Sequence, residues 1–270
     1  MRMAITLYLD GDPCGIDLYE PPGSDDDTGN PTMENRFHLL EDKILTPDLA
    51  GIIERPRLTG LLERSARTHP ATLITGRTGS GKTALAAGFV RGRNAAWLRL
   101  EPSENDWCTF ARYLEAAILR RTGRDPSSGS IRWSTPKADR IKVIDLLGSM
   151  PSAGSASFSV VVIDDLHHVF DTEWFVDIFT LMILAVPEAM HLLLLSRSKP
   201  PNPLWRLRSK QMLGVIDEAQ LAFTPQEAVD LFTRYGLSRY KAVDAQTREY
   251  GRASRMMESV TARGARAFRC

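Results

Sequence analysis

Residues 76–83 read GRTGSGKT, and this octapeptide constrains the fold more than any other stretch of the 270-residue chain. A short apolar run, ATLIT (71–75), precedes it, and a helix-like stretch to Val90 follows. The spacing GxxxxGK[ST] at a strand-to-helix junction belongs to loops that cradle phosphate. Gly76, Gly79 and Gly81 let the backbone wrap, so that the amides of Arg77, Thr78, Ser80 and their neighbours point at a polyphosphate. The helix N-terminus adds positive potential at the same place. Lys82 supplies a point charge for the β- and γ-phosphates, and the Thr83 hydroxyl suits Mg²⁺. A chance glycine-rich turn is the bland alternative, and the flanking strand and helix argue against it.

The rest of the middle alternates strand-like and helix-like segments. AAWLRL (95–100), FSVVVIDD (158–165) and MHLLLLS (190–196) are apolar runs of strand length. Between them, Phe110, Tyr113, Leu114, Ala117 and Ile118 recur at helical spacing, and Lys137–Leu147 and Thr172–Ala185 also read as helices. Apolar strands alternating with helices predict a parallel sheet covered on both faces, an α/β fold in three layers. A last strand is expected near Ala219–Phe223. Beyond it Thr224, Pro225 and Glu227 form a helix-start pattern. The expected organisation is an acidic arm over 1–36, a nucleotide-binding domain over 37–223, and a partial helical region over 224–270.

Two strand ends carry polar chemistry. The run FSVVVIDDLHH ends in Asp164 and Asp165, at the edge where such sheets meet their ligands. Asp164 is the expected Mg²⁺ partner, and Asp165 the residue to orient or deprotonate an attacking water. Two solvated acids capping a helix would be the alternative. HLLLLSRS ends in Ser196, Arg197 and Ser198. Arg197 is expected to sense the γ-phosphate and to stabilise transition-state charge, against the alternative of a solvent-exposed arginine. His167 and His168 are adjacent, so they cannot share a helix face, and a metal site there is not expected.

Composition closes off other classes. The hydrophobic fraction is 43% and the charged fraction 25%, which excludes collagen-like and wholly disordered chains. A net charge of +1 excludes a polycation built to coat nucleic acid. Three distant cysteines, without a CxxC pair, argue against a disulfide framework or cysteine-rich zinc site and fit a reducing compartment. The longest apolar runs are too short for a membrane span, and the N-terminus is a poor signal peptide, so a cytoplasmic location is expected. Residues 1–30 hold seven acids against Arg2 alone, and EPPGSDDDTGNP has little to bury, so this arm reads as a flexible linker. Residues 241–270 carry a local charge of +4, read as the solvated face of a terminal helix.

From Lys43 to Phe232 the residues resemble one family: the nucleotide-binding domain of MalT-like and large LuxR-type ATP-dependent regulators, within the STAND class of P-loop NTPases. IIERPRL (52–58) is similar to a hydrophobic-hydrophobic-x-Arg motif bordering the adenine pocket. WLRLEPSENDWCTFARYLEAAI (97–118) resembles a longer and more specific family stretch, and VVVIDDLH, LLLLSR and LAFTPQEA follow in order. The resemblance implies an ATP/ADP switch, and Asp165, shorter than the glutamate of many ATPases, points to slow Mg²⁺-dependent hydrolysis. It places Arg55 near the adenine and Asp164, Asp165 and Arg197 around the phosphates. It also implies self-association in the ATP state or action through a separate effector. No helix-turn-helix pattern or repeat sensor is found, so direct DNA binding is not expected of this chain. A small-molecule kinase and an AAA-like nucleic-acid motor remain alternatives. A kinase would need an acceptor pocket and a lid with paired arginines; a motor would need a basic channel.

Overall fold

The computed structural model describes residues 39–48, 53–151 and 158–267. The acidic arm and its short candidate strand, ITLYLD, lie outside the described residues. In chain order the structure has α1 (Pro56–Thr68), β1 (Ala71–Thr75), α2 (Lys82–Val90), β2 (Ala95–Arg99), α3 (Trp107–Arg121) and α4 (Arg140–Gly148). There follow β3 (Ser159–Asp164), α5 (Phe175–Leu184), β4 (Met190–Ser196), a one-turn α6 (Asn202–Trp205) and β5 (Leu213–Ile216). A one-turn α7 (Glu218–Leu221) leads into α8 (Pro225–Arg234), α9 (Arg239–Arg248) and α10 (Ala253–Ala267).

The five strands are parallel in the order β2-β3-β4-β1-β5. Each strand is apolar at consecutive positions because both faces are covered, and successive side chains go to opposite layers. Leu73, Leu98, Ile163, Leu192 and Leu194 pack under α3, α4 and α5. Their neighbours Ile74, Trp97, Val162, Leu193 and Leu195 pack against α1 and α2. This is the three-layer α/β arrangement of a P-loop NTPase, as expected. β4 lies between β1 and β3, so the polar end of β4 falls between the glycine-rich loop and the acidic strand end.

The final strand departs from expectation. It runs Leu213–Ile216, and the first part of the expected strand, from Ala219, falls in the helical turn Glu218–Leu221. Asp217 and Gln220 form a reciprocal cap that starts the turn, and the apolar LGVI just before it pairs with β1. Among the described residues no helix is long and apolar enough to cross a membrane.

The segment 97–118 proves to be structural. Trp97 is buried in β2, Asp106 caps α3 through the Thr109 amide at 2.7 Å, and Phe110 packs against Trp174. Buried Glu104 takes the buried Lys43 ammonium at 2.8 Å, with Glu101 on the same ammonium at 2.9 Å. That cluster pins the residues before α1 onto the sheet.

Helices α8–α10 form a second small core around Phe223, Leu231, Phe232, Met256 and Val260. One carboxylate ties it to the sheet domain. Thr224 and Glu227 cap α8 reciprocally, and Glu227 Oε2 also accepts from Arg55 at 2.8 Å and Arg57 at 3.1 Å. Burial works against the Glu227 carboxylate, but the hydrogen bonds from Arg55 and Arg57 prevail and hold its pKa down to about 2. A depressed carboxylate stabilises the fold fully above its unfolded value of 4.5, and that contribution fades as pH falls towards 2. Glu227→Gln should therefore cost about 2 kcal/mol at pH 7. In thermal unfolding, the gap between variant and wild type should narrow below pH 4.5; a gap independent of pH would reject this account.

Candidate nucleotide-binding site

The glycine-rich loop leaves β1 at Thr75 and feeds directly into α2. The Gly76 amide donates to the Ser196 carbonyl at 3.2 Å, so the loop hangs from the tip of β4. Gly79 (φ 78°) and Gly81 (φ 93°) are left-handed, a conformation that costs other residues about 1–2 kcal/mol. A Cβ at Gly79 would collide with the Ser254 side chain at the start of α10.

Lys82 is buried, and its ammonium is turned back onto the Gly76 carbonyl at 2.6 Å and the Arg77 carbonyl at 3.2 Å. Burial pulls its pKa down, and Asp164 and Asp165 oppose that only in part. Across the loop, Thr83 Oγ1 donates to Asp164 Oδ2 at 2.9 Å, joining α2 to the tip of β3. Asp164 is also buried, and burial followed by the neighbouring Asp165 charge pushes its carboxyl pKa up. Burial leads both shifts, and the opposite charges of Lys82 and Asp164 offset each other's only in part. In the same loop the buried Ser80 hydroxyl has no hydrogen-bond partner among the described residues.

The donor set fits Mg²⁺, which favours hydroxyl, carboxylate and phosphate oxygens. Among the described residues no cluster of three or more His, Cys, Asp or Glu could hold a metal. A cation here would rest on Thr83, Asp164, phosphate oxygens and water.

Asp165 has left-handed backbone (φ 54°), which turns its side chain off the strand end. Its Oδ1 accepts from Arg197 Nε at 3.3 Å. The structure thus brings Lys82, Thr83, Asp164, Asp165 and Arg197, read separately from three segments of sequence, to one edge of the sheet.

Arg77 and Arg55 stand differently. Arg77 is exposed and bonded to Glu218, with Nε at 3.0 Å from the carboxylate. Arg55 lines a cavity of about 520 Å³ together with Ile53, Leu85, Phe223, Ala253 and Met257. Its guanidinium is engaged by the Leu221 and Ala222 carbonyls and Glu227, and it lies 4.0 Å from the centre of the Phe223 ring. Arg55 therefore shapes the wall of this pocket, with its donors turned away from the cavity.

Sequence reasoning missed the contribution of α10. Arg252 donates to the Thr78 carbonyl, and the Ser254 amide donates to the Gly79 carbonyl at 2.9 Å. Ala253 and Met257 complete the cavity beside the loop. The one local signal was Gly251: it is left-handed, and its carbonyl accepts from the Phe223 amide at 2.7 Å.

With this fold and site, the chain belongs to the AAA ATPase domain family, whose profile matches residues 54–195. Over 196 residues it is 30% identical to the HTH-type transcriptional regulator MalT of Klebsiella pneumoniae, covering 72% of this chain and 22% of that protein. MalT of Vibrio cholerae is 28% identical over 206 residues, again with 72% and 22% coverage. The chain thus spans about a fifth of the length of these relatives. A solved Walker-type ATPase of Pyrococcus abyssi shares the fold, with a TM-score of 0.50, 14% identity, and coverage of 77% of this chain and 66% of that one.

The Gly79–Ser254 contact makes a prediction. Gly79→Ala should destabilise the protein by about 2 kcal/mol or more, from backbone strain plus the collision. Adding Ser254→Gly should recover part of the loss in thermal unfolding. A double variant no more stable than Gly79→Ala would show that α10 does not rest on the loop.

Proposed function

We propose that this chain is a nucleotide-operated switch that binds ATP or ADP and hydrolyses ATP slowly with Mg²⁺. The observation that carries the reading is the 2.9 Å bond from Thr83 to Asp164, which sets a hydroxyl and a carboxylate together beside the glycine-rich loop. The base would enter the cavity between Ile53, Leu85 and Met257, and the phosphates would lie on the amides of residues 76–83. Lys82 would leave the Gly76 carbonyl for the β- and γ-phosphates. Bound Mg²⁺ would neutralise developing charge on the phosphate oxygens.

The residues divide the reaction between them. Asp165 orients the water and accepts its proton as oxygen bonds to the γ-phosphorus. The bond to the β–γ bridging oxygen breaks, and ADP leaves with the electron pair. Arg197, paired to Asp165 in the resting site, balances charge as the γ-phosphoryl group transfers. Asp165 is shorter than glutamate, which supports slow turnover, below about 1 s⁻¹.

The switch reading draws support from α10, which touches the loop and the cavity at once. We assign the domain edge near Phe223, where the chain leaves the sheet for α8. Nucleotide state would reach partners through α8–α10, either by self-association or through a separate effector. The similarity to MalT supports a place in signal-dependent regulation.

Lys82→Ala should lower ATP affinity at least about a hundredfold in a fluorescent-nucleotide titration. Asp165→Asn should keep affinity within about twofold while slowing phosphate release about a hundredfold. Unchanged ATP binding by Lys82→Ala would remove the assignment. Transfer of the γ-phosphoryl group to a small acceptor, rather than to water, would replace it with a kinase.

A further inference from the structure

His167 lies in a one-turn 3-10 helix, Leu166–Val169, directly after Asp165. Its Nδ1 is buried and has no hydrogen-bond partner among the described residues. A buried, unsatisfied ring nitrogen is costly and asks for an explanation. The nearest acid is Asp165, whose Oδ1 stands 3.8 Å from Nδ1, just beyond hydrogen-bond reach.

The surroundings direct the ring. His168 stacks against it, with ring centres 4.3 Å apart. Arg197 Nε approaches the same Oδ1 at 3.3 Å from β4. Both groups therefore converge on one oxygen of Asp165 and leave Oδ2 as the oxygen for a water. A carboxylate facing Nδ1 favours the tautomer with the proton on Nδ1.

We propose that His167 is a positioning residue for hydrolysis, donating from Nδ1 to Asp165 Oδ1 once Mg-nucleotide is bound and thereby fixing Oδ2 towards the attacking water. The inference rests on the reading of Asp165 as the water-orienting residue. A shift of under about 1 Å converts the resting 3.8 Å separation into a hydrogen bond. The orphaned nitrogen is then a contact held open in the resting site and completed in the loaded one. The proton stays on His167 throughout; its effect is on the direction of the carboxylate.

The test uses the whole chain with ATP and Mg²⁺. His167→Ala should lower kcat about tenfold to a hundredfold, with KM and the affinity for a fluorescent ATP analogue unchanged within about twofold. His167→Asn, whose amide N–H reaches the place of Nδ1–H, should restore most of kcat. His167→Gln, whose amide reaches the place of Nε2 instead, should not. Equal rates for wild type and His167→Ala, or equal rescue by Asn and Gln, would overturn the proposal. A second measurement does not depend on turnover. Nitrogen NMR of the His167 ring should show Nδ1 protonated and newly hydrogen-bonded on adding Mg²⁺ with a non-hydrolysable ATP analogue. An Nδ1 unchanged by that addition, while the analogue binds, sinks the role of His167 alone. Failure of the analogue to bind to wild type removes the nucleotide reading beneath it and this proposal with it.

Discussion

The insertion of β4 between β1 and β3 is the constraint on which the site depends. Parallel strands all end on the same edge, so the order β3-β4-β1 sets the acids of β3, the arginine of β4 and the loop after β1 side by side. The bond from the Gly76 amide to the Ser196 carbonyl extends that pairing one residue past β1. The loop is thus an extension of the sheet, and its glycines begin where the ladder stops. Shifting β4 by one residue would exchange Leu194 and Leu195 between the two buried layers and move Arg197 away from Asp165. Core packing and site geometry are consequently one specification.

Much of this was legible in residue order. Strands buried on both faces are uninterrupted apolar runs, and β1 and β4 lie where ATLIT and MHLLLLS stand. The glycine-rich loop could be read because its chemistry is local. The residues Asp164, Asp165 and Arg197 were legible for another reason: polar groups at the end of an apolar strand face the ligand edge of such sheets. The last strand is ambiguous in sequence because LAF after Glu218 is as apolar as LGVI before it. What separates them is a cap between Asp217 and Gln220, which favours helix at the second run.

What could not be read is everything that depends on two distant segments meeting. Arg55 was singled out from a motif, yet its partners, Leu221, Ala222 and Glu227, lie more than 160 residues away. In sequence Glu227 reads only as the third residue of a cap, whereas it also holds two arginines. Lys43 and Glu104 form a buried pair that no local pattern announces. The placement of α10 on the loop left no trace in the sequence beyond one glycine. The segment 97–118, which carries the family likeness most specifically, anchors helices and loops to the sheet. Sequence specificity there reflects a fold that has to be held in one shape.

The two backbone ties of α10 have a mechanical meaning. Residue 254 is bonded to the loop at Gly79, while residue 251 is bonded to Phe223 at the wall of the cavity beside it. Three residues thus span both ends of the space a nucleotide would fill. Movement of the loop is therefore coupled to movement of the helix, and the reverse. Such reciprocity is obligatory for any two linked equilibria. Under the proposed switch, a partner holding α10 would alter the loop without touching it.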